Sequence, residues 1–148
     1  MIACEQTKGM SVYDHGILVN EYYHDLMNHL SKGTSLKFKW RLPEWIDSYS
    51  LLILAKTYDS DIMNKYQVFH DCGKPYCRTV DADGKQHFPD HANVSYEIWT
   101  KVFPDENPLI GQLIKSDMDI HLLKAEGLES FCERPEAISL LITGLSEI

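Results

Sequence analysis

Long apolar runs are missing from this chain, and nothing in it is continuous and apolar enough to span a bilayer. The first residues also lack the basic and apolar regions of a secretory signal, so the expectation is a cytoplasmic protein with no membrane partner. Cysteine is scarce. Cys4, Cys72, Cys77 and Cys132 read as free thiols in that setting. Four residues rather than two separate Cys72 from Cys77, and no second pair answers them, which argues against a structural zinc site. Positive charge is short as well, with 14 Lys and Arg against 22 Asp and Glu and a formal net charge of −8. That imbalance disfavours strong non-specific binding to nucleic acid or anionic lipid. It does not exclude a nucleotide substrate, because a bound metal or a local cation cluster reverses the field within one cleft. Internal repeats, low-complexity tracts and linkers are absent too.

What is present is a 44% hydrophobic fraction over 148 residues, enough for one domain, residues 1–148, whose core needs no disulfide or metal staple. Residues 1–10 carry no periodicity and read as a loose lead-in. From Ser11, an N-cap type, His15, Leu18, Val19, Tyr22, Leu26 and Leu30 share one helical stripe, so His15 points inward. The pair His24-Asp25 falls on the other side and reads as a solvated surface feature. Ser31 to Ser35 breaks the helix. Leu36 to Leu42 interleaves Lys37, Lys39 and Arg41 with Phe38 and Trp40, in the manner of an amphipathic surface segment.

Further helices are expected from Trp45 to Tyr58, burying Ile46, Tyr49, Leu52 and Ile53, and from Ile62 to Asp71, stopped by Gly73 and Pro75. Another runs from about Pro89 to Val102, with His91, Val94, Ile98 and Val102 along one side. Two more follow, from Leu109 to Ala125 and from near Glu133 onward, the last packing Ile138, Leu141, Ile142 and Leu145. An Asp83-Gly84 turn between two short β-favouring pieces suggests a small hairpin or ordered loop near residues 78–88. The fold class is therefore all-α, a compact bundle of about five to six helices.

The chemistry centres on Val68 to Pro75. His70 and Asp71 are adjacent at a helix end and offer a metal an imidazole and a carboxylate; Lys74 follows and can meet the anion such a metal would hold. Inward or terminus-borne ligand types from separate elements are His15, His70, Asp71, His87, His91 and Asp117. Asp117 lies within the inward stripe of Ile110, Leu113, Ile114, Met118 and His121, whereas Asp119 faces away. A carboxylate on such a face is costly unless paired or metal-bound. Nitrogen and oxygen donors without thiolate suit Mn²⁺, Fe²⁺, Co²⁺, Ni²⁺ or Mg²⁺, and metal-bound water is acidified toward a hydroxide nucleophile.

The order His15, His70-Asp71, Asp117 resembles the HD-domain superfamily of metal-dependent phosphohydrolases. The stretch His70-Asp71-Cys72-Gly73-Lys74-Pro75, Arg78-Thr79-Val80-Asp81, Gly84, His87-Phe88 and His91-Ala92 is similar to the HD domain attached to some bacterial tRNA nucleotidyltransferases, with Cys72 where an aliphatic residue is usual. No nucleotidyltransferase domain is present, so the resemblance implies the hydrolase module alone. It implies one or two divalent ions (Mn, Fe, Co, Ni, Mg or Zn). His15, His70, Asp71 and Asp117 would hold the first, and His87 and His91 would serve a second bridged by Asp71. Lys74, with Arg78 beside it, would bind the phosphoryl oxygens, Asp71 and Lys74 being the catalytic pair. The expected activity is hydrolysis of a nucleotide or another small phosphorylated substrate, as a mono- or diester. The alternatives are a non-catalytic nucleotide sensor that keeps the pocket, or a di-iron oxygenase.

Overall fold

The structure is a computed structural model that describes residues 1–147. Helices dominate it. The longest, α1 (Val12–Lys32), begins where the Ser11 hydroxyl accepts the Asp14 N–H while the Asp14 carboxylate reaches back to Ser11, a reciprocal cap. The residues before it are not a loose lead-in. They pair as a short antiparallel hairpin of β1 (Glu5–Thr7) and β2 (Met10–Ser11), which the period-2 signal is too brief to announce.

A short 3₁₀ turn over Asp47–Tyr49 leads into α2 (Ser50–Lys56), followed by α3 (Ser60–Phe69), capped by the Asp59 carboxylate on the Ile62 N–H. α3 ends at Phe69, short of the expected Asp71; His70 to Gly73 continue in turns, and Pro75, expected as a stop, sits in the first turn of a new one-turn helix, α4 (Lys74–Cys77). The hairpin near 78–88 forms from β3 (Thr79–Val80) and β4 (Gln86–His87) around the Gly84 turn. Then come α5 (His91–Val102), α6 (Pro108–Lys115), α7 (Leu128–Cys132) and α8 (Ala137–Ser146). The six longer helices match the expected number, and α4 and α7 are additional single turns. No described helix is long and apolar enough to cross a membrane.

The core joins α1, α2, α3, α6 and α8. Leu26, Ile53, Met63, Tyr66, Ile110, Leu113, Ile114, Leu140 and Ile142 are buried together, each aliphatic contributing about 1.5–3 kcal/mol relative to exposure. Several expected faces are corrected. Between residues 45 and 58 only Ile46 and Ile53 are buried, while Trp45, Tyr49 and Leu52 are exposed because the 3₁₀ turn changes the helical phase. On α5 the fully buried residues are Ser95 and Trp99; Ile98 packs partly buried against the core and Val94 is half-buried, whereas Val102 is exposed. The helix expected to reach Ala125 stops at Ser116; residues beyond it continue in turns.

The largest correction concerns Asp25. It is buried, and one carboxylate receives the N–H groups of Lys37 (3.0 Å) and Phe38 (3.2 Å) and the indole N–H of Trp40 (2.9 Å). His24 meets the Asn64 side chain at 2.7 Å. The segment 36–42 is thereby fastened along α1, with Lys37, Lys39 and Arg41 exposed and Tyr22 stacked on Phe38. Burial raises the Asp25 pKa, but the three donors outweigh it and hold the carboxyl below the usual range. Stability from this depressed group is present above its unfolded pKa of about 3.9 and is lost as pH falls through the lower folded value. Asp25→Ala should cost about 1–3 kcal/mol in urea unfolding at pH 7, because three donors lose their acceptor. The difference from the native protein should shrink below about pH 4.

Candidate metal centre

Two close backbone approaches assemble the site. A Cβ at Gly16 would lie 2.2 Å from the Val68 carbonyl oxygen, so α1 can touch α3 only through a glycine there. A Cβ at Gly73 would lie 2.4 Å from the Ser95 nitrogen, which brings α5 equally close; the Gly73 N–H also donates to Ser95 Oγ at 2.9 Å. His15 is next to the first contact, and His91 is one turn from the second. Both imidazoles are thus carried to the turn after α3, where His70 and Asp71 are 1% and 2% exposed.

Asp71 is the hub. Its Oδ2 lies 2.8 Å from Lys74 Nζ, 3.3 Å from His70 Nε2 and 3.9 Å from His15 Nε2, and its Oδ1 lies 3.6 Å from His91 Nε2. The ring tautomers follow from the backbone. His70 Nδ1 faces the Gln67 carbonyl at 2.6 Å and His91 Nδ1 faces the Phe88 carbonyl at 3.2 Å. A carbonyl only accepts, so each Nδ1 carries hydrogen and each Nε2 is aimed at the site, the orientation that metal-bound histidines adopt. Lys74 is buried, donates to Gln6 Oε1 at 2.8 Å and lies over the Phe88 ring.

The electrostatics separate the imidazoles. Burial, with His70 next, lowers the His15 pKa, and burial lowers that of His91, so both are neutral at pH 7. Burial opposes charge on His70 as well, but Asp71 and Asp117 prevail and raise it well above the ordinary value. Asp71 is lowered in turn: burial works against ionisation, and His70 and Lys74 overcome it. Asp117 is buried where α6 gives way to turns and accepts the Tyr66 hydroxyl; burial raises its pKa to about 6. Asp119 turns outward to Arg134, at 2.9 Å.

Two sequence-selected residues are placed elsewhere. His87 is half-exposed on the β3–β4 hairpin, paired with Asp81 at 2.9 Å, because its strand register turns it toward the Asp81-Gly84 turn and not toward Asp71. Arg78 donates to Gln86 at 2.9 Å on the same hairpin. Conversely, Gln6 and Glu147 carry no signal as site residues, and His121, although on the expected inward stripe with Asp117, is not among the selected ligands. Gln6 belongs to the undetected hairpin, His121 to a turn expected to be helix, and Glu147 follows the last helix with no nearby motif. His121 Nε2 stands 3.5 Å from Glu147 Oε2.

Potential metal-ligating atoms converge in two groups, His15, His70 and Glu147, and Asp117, His121 and Glu147, the atoms of each lying within 4.8 Å of one another. Imidazole and carboxylate donors of this mix fit a divalent transition ion. Glu147 Oε1 strengthens the fit, being the one buried side-chain oxygen or nitrogen without a hydrogen-bond partner among the described residues. A cavity of about 520 Å³ borders His91 and is lined also by Asp90, Asn93, Lys115, Ser116 and Asp119. In comparisons with known proteins, no family model, curated protein or solved structure matches the chain. Gly16→Ala should force α1 off the Val68 carbonyl and cost about 1–3 kcal/mol or more in urea unfolding, as overpacking does.

Proposed function

We propose that the protein is a metal-dependent phosphohydrolase of the HD type, acting on a nucleotide or a similarly small phosphate ester. The observation that carries this reading is the convergence of three imidazole Nε2 atoms and one lysine on the buried Asp71 carboxylate. Two of those imidazoles are oriented from behind by backbone carbonyls. His15, His70, Asp71 and Asp117 would hold a divalent ion, with His91 as a further donor. Such an ion, when bound, supplies a Lewis acid for a phosphoryl oxygen and acidifies water at neutral pH.

The residues around it have separable tasks. Lys74 is held by Asp71 and Gln6, so its charge is fixed in place before substrate arrives and can oppose charge developing on phosphoryl oxygens without reorganisation. Asp71 keeps that lysine and His70 at the same point. His15 and His91, neutral at pH 7, present free lone pairs to a cation or a proton. The cavity beside His91 is of the size that small-molecule sites occupy, and its mixed lining of Lys115, Asn93, Ser116 and Asp119 suits the polar remainder of a nucleotide. His87, engaged with Asp81, has no part in this scheme.

Protein stripped with chelator should be inactive toward bis-p-nitrophenyl phosphate and p-nitrophenyl phosphate, and Mn²⁺, Co²⁺ or Ni²⁺ should restore turnover of at least one. His70→Ala combined with Asp71→Ala should abolish it; full activity in that double variant would refute the assignment. Lys74→Met should lower kcat by about 10²–10³-fold, the usual effect of losing one oxyanion-stabilising group.

A further inference from the structure

Permanent positive charge is short around Asp71. Three carboxylates, Asp71, Asp117 and Glu147, gather in one region, and the nearest fixed cation is Lys74. Lys74 contacts Asp71 alone among the three, at 2.8 Å, and among the described residues no lysine or arginine forms an ion pair with Asp117 or Glu147. Arg134, the cation near that end of the chain, is taken up by Asp119 and Glu136. Asp117 and Glu147 are thus met by imidazoles, His70 and His121, and by no lysine or arginine.

Glu147 links two groups of ligand types. It is the only residue common to both ligand groups, one with His15 and His70 and the other with Asp117 and His121. One of its oxygens faces His121, while Oε1 is buried and has no partner. A desolvated carboxylate oxygen without a donor is costly, by an amount a hydrogen bond or a bound ion would offset. Its position is set by α8, whose Thr143 and Ser139 side chains hydrogen-bond to Gln67 and to the Tyr58 N–H, locking the helix that leads into Glu147 against α3 and the residues after α2.

We propose that Glu147 is a direct ligand of a divalent first-row transition ion, joining the His15–His70 pair to the Asp117–His121 pair, with His121 as an additional imidazole donor. The inference rests on the metal-dependent reading given above and extends its ligand set to a residue contributed from the far end of the chain. Three imidazoles with two carboxylates select such an ion over Mg²⁺ or Ca²⁺, which favour all-oxygen shells. The ion would add a fixed positive charge beside Asp117 and Glu147.

The test is calorimetric titration of chelator-stripped full-length protein with Mn²⁺, alongside thermal midpoints with and without Mn²⁺. The native protein should bind Mn²⁺ and gain thermal stability. Glu147→Gln should bind at least about tenfold more weakly, the scale on which loss of groups serving a metal is felt, and should lose most of the gain. Glu147→Asp keeps the charge but withdraws it by one methylene, and should fall between the two; it carries the test if the glutamine variant does not fold, judged by circular dichroism and the metal-free midpoint. Glu133→Gln, an exposed acid outside the site, should titrate like the native protein. Native-like Mn²⁺ affinity in folded Glu147→Gln and Glu147→Asp, with the native protein binding, overturns the ligand role and leaves the metal-dependent reading standing. Absence of Mn²⁺ binding by the native protein overturns both.

Discussion

A carboxylate taken out of water must be met by positive charge or by donors, and in this protein that demand is concentrated on Asp71. Its two oxygens are approached by groups from α1, from the end of α3, from the start of α4 and from α5. Helix packing and local electrostatics are therefore one constraint. If α1 or α5 moved outward, Asp71 would lose an imidazole and water would enter. The glycines at positions 16 and 73 are what permit the backbones to come close enough for short side chains to reach one carboxylate.

Asp25 solves the same problem by different means, and the contrast bears on function. Its partners are two backbone N–H groups and an indole N–H, none of which titrates or can exchange its hydrogen for a metal at neutral pH. That carboxylate holds a strand-like segment of alternating cations and aromatics on the side of α1. The partners of Asp71 are imidazoles and an amine, groups whose Nε2 or Nζ can change protonation or ligation. Both carboxylates are buried and hydrogen-bonded, and only one is surrounded by chemistry.

The helical skeleton was legible because its signals are local. Ser11 capping α1 and the Asp83-Gly84 turn each act within a few residues. The inward placement of His15 follows from helical phase, which a periodic stripe records; Asp117 is buried over Asp119 as expected, but from a turn beyond α6. Errors arose where phase was interrupted or where partners are distant. The 3₁₀ turn at Asp47–Tyr49 exposed Trp45, Tyr49 and Leu52, and a two-residue strand took His87 to Asp81. Asp25 was read as solvated because its donors come from residues 37 to 40, a segment with no periodicity to betray the contact.

By itself, then, the order of residues determined the six longer helices, though not all of their ends, and that His70, Asp71 and Lys74 stand together just beyond one of them, since all of this depends on neighbours a turn apart. Only the tertiary structure decided which distant side chains share that place. It brought Gln6 to Lys74, His15 and His91 to Asp71, and Glu147 between His15, His70, Asp117 and His121, while sending His87 and Arg78 out along a hairpin. The reason is that burial and charge compensation are properties of the packed whole. A carboxylate such as Glu147 carries no mark of either until the last helix has docked.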